Sequence, residues 1–202
     1  MSILAQVPSR PAMQRLVDFY HLKSADHRGR DLEHILKWSD RELESCHDYV
    51  QTLFPLPEGS LFAHAPIIDE ETYLYWREHE DLKRNLRRAF DRMLVFYGLE
   101  WEQGDNGPTG KIIEKEGAKG NLSNWVVPMD HNHLRITRII RSLRILGLDD
   151  EAKAYHDALD AICNKYGKVG STSRTFWKRA LTQPLHIAPD GTQVAWLKKY
   201  EP

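Results

Sequence analysis

The chain has 202 residues, 41% hydrophobic and 28% charged, which is enough for one packed domain and short for two. Its 28 Lys and Arg stand against 29 Asp and Glu, so bulk charge does not drive it onto nucleic acid, although a local basic patch stays open. It has no run of about 18 apolar residues to span a membrane and no secretory signal pattern at its start. Its only cysteines, Cys46 and Cys163, exclude a disulfide scaffold and a CxxC zinc site and indicate a reducing, intracellular setting, cytoplasmic or nuclear.

In chain order, Ser9 and Pro11 mark a helix start, and Met13, Leu16, Val17 and Tyr20 give it one apolar face. Residues 23–30 (KSADHRGR) read as a polar loop and 31–38 as a short helix. Ser39 and Glu42 form a capping box, opening a helix expected to run to Phe54, where Pro55 and Pro57 end it. Residues 55–68 carry three prolines and read as an ordered loop. A long helical stretch follows from Asp69, with Leu82, Leu86, Phe90, Met93, Leu94 and Tyr97 as its stripe and Gly98 as its stop; the charged block 77–81 is where it would break in two. Residues 101–124, rich in Gly, Asn and Lys, read as a mobile segment with a short strand at Ile112–Ile113, and 104–120 is a candidate lid. Three helices complete the series: 131–146 capped by Asp130, one from Asp149 or Asp150 to Gly167, and one from Ser171 or Thr172 to before Pro184. The tail has a Pro189-Asp190-Gly191 turn between β-type runs. The expected fold is all-α, a mainly helical single domain over 1–202, with a small C-terminal β-hairpin in an appendage at 184–202.

Two polar constellations stand beside apolar stripes. On a helix over 39–54, Asp40, Glu44, His47 and Gln51 would share a sector of about 60°. Glu44 and His47 make an E-x-x-H pair, the spacing of helix-bundle metal sites, although the second pair such a site needs is missing. The bland alternative is a solvated face with one hydrogen-bonded histidine. The second constellation is Asp130-His131-Asn132-His133-Leu134-Arg135, at a helix start whose unpaired N–H groups favour anions. There, local capping with half-exposed histidines is the alternative. Arg135, Arg138, Arg141 and Arg144 recur every three residues on that helix; Arg135 is placed to clamp a carboxylate or phosphate, and Arg144 is expected at the surface. Cys46 is expected to be an inert buried thiol. No Gly-rich phosphate loop and no G-x-S-x-G elbow is present.

Taken together, three runs resemble the conserved region of the opioid growth factor receptor family: Trp38 to Glu58 (WSDRELESCHDYVQTLFPLPE), Asn85 to Leu99 (NLRRAFDRMLVFYGL), and Asn124-Trp125 followed by His131 to Arg138 (HNHLRITR) and then Leu143 to Leu148. The resemblance covers about residues 15–180. It implies a domain akin to that of a receptor for an enkephalin-type peptide associated with the nucleus and growth inhibition. A peptide-repeat tail like that member's is not expected here, and the family supplies no catalytic residues to carry over.

Two functions follow as expectations. One is binding of a small peptide or organic ligand in a His/Arg-lined pocket between helices, with Gln51, Phe54, Trp125, His131, Arg135 and Arg138 as its lining. The other is a compact small-molecule-tailoring enzyme using His47 and His133 as general acid and base. The sequence requires no cofactor; a divalent metal, if used, would recruit Glu44, His47, His131 and His133. Nucleic acid is not an expected partner.

Overall fold

A computed structural model describes residues 11–60, 62, 64–105 and 107–201. Ten α-helices, one two-stranded sheet and a terminal 3₁₀ turn occur among them: α1 Pro11–Tyr20, α2 Leu32–Leu36, α3 Asp40–Ser45, α4 Val50–Leu53, α5 Glu70–Glu78, α6 Glu80–Tyr97, β1 Leu99–Gly104, β2 Gly107–Glu114, α7 Lys119–Leu122, α8 His131–Ile145, α9 Asp149–Tyr166, α10 Ser171–Thr182 and the turn Ala195–Tyr200. The fold is mainly helical with one small β-hairpin. None of the described helices is long and apolar enough to cross a membrane.

The core forms around α6, whose stripe Leu82, Leu86, Phe90, Met93, Leu94 and Tyr97 is buried along its length. α1, α2, α5 and β1 pack on it, while α8, α9 and α10 pack on one another. Three buried polar tips in this core find backbone carbonyls: Asn85 Nδ2 donates to Tyr20 O (2.7 Å), Trp125 Nε1 to Tyr97 O (3.0 Å) and Trp177 Nε1 to His133 O (3.0 Å). His79, in extended conformation, separates α5 from α6 within the charged block that suggested a break. Gly98 ends α6 at φ 75°, and a Cβ there would meet Ala118 Cβ at 3.0 Å, so the position needs glycine on two counts. The expected Ser9 cap lies outside the described residues.

Three expectations are corrected. First, residues 39–54 are two short helices and not one. The Ser39–Glu42 capping box forms, but α3 stops at Ser45 and Cys46 is extended (φ -95°, ψ 130°). Side chains from elsewhere compete with the helix there: Arg135 donates to the Leu43 and Cys46 carbonyls, and the arginines at 28 and 30 hold the Asp48 carboxylate. Second, the hairpin lies at 99–114, inside the segment read as mobile, and not in the tail. Gly104 pairs with Gly107 and Leu99 with Glu114, with a bulge between Trp101 and Gln103, and β2 packs on α9. The tail makes its Pro189-Asp190-Gly191 turn and a single antiparallel bridge, Ile187 with Gln193, before coiling into the 3₁₀ turn. Third, Cys46 is half-buried and hydrogen-bonded to Asp48 and Arg30, and Arg144 is half-buried against α10. The tail is fastened to the helical body: Leu197 is buried, and Trp196 and Tyr200 pack on Tyr73.

Candidate functional site

The predicted site residues divide into two groups. Glu44, His47, His131 and Arg135 come together between α3 and the start of α8. The His47 and His131 rings meet edge to face at 5.4 Å. His131 Nε2 is 3.3 Å from Glu44 Oε1, and its Nδ1 is 3.4 Å from Asp130 Oδ1. Arg135, however, is not a free clamp. Its guanidinium donates to Leu43 O (3.1 Å), Cys46 O (2.8 Å) and Asn132 Oδ1 (3.2 Å), lies 3.1 Å from His47 Nδ1, and stacks over the Tyr49 ring. In the orientation its surroundings require, the Gln51 amide donates back to the His47 and Asp48 carbonyls. These groups close the turn between α3 and α4.

His133 belongs to the second group and points away from the first. Two residues along a helix is a rotation of about 200°, so His131 and His133 face opposite ways. His133 Nε2 lies 2.7 Å from Trp125 O and its Nδ1 lies 2.8 Å from Ser173 Oγ. A carbonyl only accepts, so Nε2 carries the proton and Nδ1 accepts from the Ser173 hydroxyl. Trp125 is fully buried beside it, and Phe54 is buried with its carbonyl capped by Arg138 (2.9 Å). The structure therefore does not gather the expected His/Arg-lined pocket. Among the described residues, no three His, Cys, Asp or Glu side chains form a metal-binding group.

The four arginines of α8 share one role. Arg135 and Arg138 hold the carbonyl ends around α3 and α4. Arg141, with its side chain 2% exposed, forks onto Glu58 and donates to the Leu185 and Ile187 carbonyls. Arg144 donates to Ala180 O and Gln183 O at the end of α10. Each guanidinium thus meets carbonyls that helix ends and loops leave open. Burial pushes the Arg138 guanidinium down to about 10, with only the Glu58 charge opposing it.

A concave site lies elsewhere, in a region first read as loop. An open cleft of about 340 Å³ runs between α1, the 25–27 loop, Thr52 of α4 and residues 64–67. Met13, Leu16, Phe19, Pro66 and Ile67 give it an apolar wall, while Arg15, Asp26, His27 and His64 supply polar groups. The two imidazoles stack at 5.2 Å, 29° from parallel. Behind them is an ion network. Asp26 accepts from the backbone N–H of Arg28 and Arg30 and from Arg30 Nε (2.7 Å). Asp48 accepts from Arg30 Nη1 (2.9 Å) and Cys46 Sγ, and pairs with Arg28 Nε (2.7 Å) and His27 Nε2 (3.3 Å). Burial alone would raise the Asp48 carboxyl, but hydrogen bonds from Arg30 and Cys46 and the charges of Arg30 and Arg28 outweigh it and hold the group below the usual carboxylate range. Asp26 and Asp48 are both neutralised, so the polar groups left for a ligand are mainly donors. Sequence reading passed over Asp26, His27, Arg28, Arg30 and His64; the signal it had was the alternation of acids and bases around one glycine in KSADHRGR. The segment first expected as a lid, 104–120, lines no wall of this cleft.

Comparison with known proteins sets this geometry in a family. The opioid growth factor receptor from Homo sapiens is 37% identical over 121 residues, which are 58% of this chain and 17% of that protein. The receptor from Rattus norvegicus is 36% identical over 124 residues, 60% of this chain and 21% of that protein. The opioid growth factor receptor-like protein 1 from Mus musculus is 32% identical over 127 residues, 58% of this chain and 25% of that protein. The chain thus spans between about a sixth and a quarter of these relatives. No solved structure matches it. The family profile described as the opioid growth factor receptor (OGFr) conserved region matches residues 12–159, and the chain belongs to that family.

Proposed function

We propose that this domain is a ligand-binding module that takes a short peptide, or an organic acid of similar size, in the cleft between α1 and residues 64–67. The observation that carries the reading is the cleft itself: an apolar wall facing Arg15 and a stacked imidazole pair, with nearby carboxylates already neutralised. Such a surface suits an apolar ligand that ends in a carboxylate. The names of the relatives, receptors of an opioid growth factor, agree with a peptide ligand. In this reading Arg15, His27 and His64 take the place of His131, Arg135 and Arg138. Cys46 and Cys163, both unpaired, fit a cytoplasmic or nuclear setting. The acid–base enzyme reading draws no support from His133, whose two ring nitrogens are both engaged inside the protein.

The test is a calorimetric titration with an enkephalin pentapeptide, as the free acid and as the C-terminal amide. Saturable binding of the acid is expected, weakened about tenfold by amidation and by a combined His27→Ala/His64→Ala change. Absence of saturable binding, or equal affinity of the double variant, would end this reading. Replacing His131 should leave affinity unchanged.

A further inference from the structure

A separate pair of histidines meets where α1 ends and α5 passes into α6. His21, the first residue after α1, directs Nδ1 to Asp81 Oδ2 at 2.8 Å. A carboxylate accepts, so Nδ1 carries the proton and Nε2 keeps its lone pair. His79, in the break between α5 and α6, sets Nδ1 2.6 Å from the Tyr75 carbonyl. The same argument leaves His79 Nε2 with a lone pair. The two rings are 6.3 Å apart and nearly perpendicular (85°). Tyr75 completes the group: its ring stacks on His79 at 3.7 Å, and its hydroxyl lies 3.4 Å from His21 Nε2.

Both imidazoles are anchored through Nδ1, as metal-binding histidines are. Histidines that ligate metals characteristically donate their other nitrogen to a carboxylate or a backbone carbonyl, which fixes the tautomer and the ring. Here one imidazole has the carboxylate and the other has the carbonyl. The Asp81 carboxylate, 2.8 Å from the His21 ring, also gives the place a negative charge that a cation would meet. The backbone beside His21 is also unusual. Leu22 sits at φ 62°, where glycine is at home, and its side chain is 47% exposed.

We propose that His21 and His79 form a site for a borderline divalent cation of the Zn²⁺ class, held through their two Nε2 atoms, with the Tyr75 oxygen or water filling the remaining positions. Imidazole donors suit such an ion. Tetrahedral zinc with bonds of about 2.0–2.1 Å places two ring centroids roughly 5 Å apart, so the rings need to close by about 1 Å. With only two imidazoles from the protein, the affinity should be micromolar and the ion exchangeable.

The experiment titrates the full chain with zinc chloride, read by calorimetry and by long-range ¹H–¹⁵N spectra of the imidazoles. One equivalent should bind and shift the Nε2 signals of His21 and His79. His21→Gln and His79→Gln should each weaken binding at least about tenfold, and Asp81→Asn by about tenfold through loss of the orienting acceptor. A combined His27→Gln/His64→Gln change should leave it unaltered. Unmoved Nε2 signals at His21 and His79 in the unaltered protein would overturn the site, as would variants that bind like it. The spectra decide the matter even where a substitution impairs folding.

Discussion

Helix α8 and the corner built by residues 25–30, 48 and 64 are both crowded with charge, yet they do different work. On α8 every arginine ends on carbonyls of neighbouring elements, joined at Arg141 by the Glu58 carboxylate. In the corner, Arg28 and Arg30 satisfy Asp26 and Asp48, and the imidazoles of His27 and His64 are left lining a cleft. Polar density alone therefore does not mark a binding site. What marks it is donor capacity left over once the backbone has been served, together with a concave surface to present it.

The sharpest way to break this comparison is at Arg141. Its pair with Glu58 is largely shielded from solvent, with side chains 2% and 12% exposed. Arg141→Met should cost about 3–5 kcal/mol in chemical denaturation, because Glu58 is left buried without its partner. Adding Glu58→Gln should recover part of that loss, as expected for coupled neighbours. A cost under about 1 kcal/mol would show that the α8 arginines are not structural staples. Ligand affinity in the cleft should not change in either variant.

The corner should respond to pH through Asp48. Asp48→Asn removes a carboxylate that faces Arg28, Arg30 and His27 and should cost about 2 kcal/mol at pH 7. The folded-state carboxyl is held below its unfolded value, so its stabilisation is complete above about pH 4 and fades as pH falls through the depressed folded value. Denaturation midpoints of the variant and the parent should therefore converge in acid. A constant difference down to pH 2.5 would mean that Asp48 contributes by packing and not by charge.

These contrasts also show what could be read from the sequence. Helix boundaries with local chemistry were legible: the Ser39–Glu42 box, Asp130 before α8, Gly98 and Gly167 at left-handed stops, and the stripe of α6. The break after Ser45 was not, because it depends on Arg135, about 90 residues away, taking the Leu43 and Cys46 carbonyls. The hairpin at 99–114 carried a signal that was passed over. The run Asp105-Asn106-Gly107 is made of turn residues, and Gly104 pairs with Gly107. The tail signal at Pro189-Asp190-Gly191 was weaker, and it yields a turn with one bridge. The residues of the proposed cleft were not legible for a similar reason. Histidine and arginine do line the cleft, but no local period brings residues 15, 27 and 64 together, whereas His131 and Arg135 were conspicuous only because they are neighbours in sequence.

Within α8 itself the arginines can be ranked. Arg138 is half-buried where Arg141 is fully buried, and it lacks a carboxylate fork; it donates to Phe54 O, and desolvation pushes its guanidinium down to about 10. Removing it loses one hydrogen bond and relieves one desolvated cation, two effects of similar size and opposite sign. Arg138→Met should therefore shift stability by less than about 1 kcal/mol, in clear contrast to Arg141→Met. A loss as large as that at Arg141 would mean that the Phe54 carbonyl, and not Glu58, is the decisive partner on this helix.

The smallest effect tests whether the end of α1 is built for stability or for its histidine. Lys23 N–H bonds Asp18 O and Leu22 N–H bonds Phe19 O, the two bonds of a helix-ending motif that places a left-handed residue at position 22. A leucine there is strained by about 1 kcal/mol or more, and its side chain is too exposed to regain much through burial. Glycine removes the strain but adds freedom to the unfolded chain. Leu22→Gly should thus raise stability by about 0.5 kcal/mol, read as a small rise in the denaturation midpoint. If that gain comes with weaker zinc binding, the strained leucine helps hold His21 in place. If stability falls instead, Leu22 packs against the fold more than its exposure implies, and the conformation belongs to the packing of α1 and not to the histidine pair.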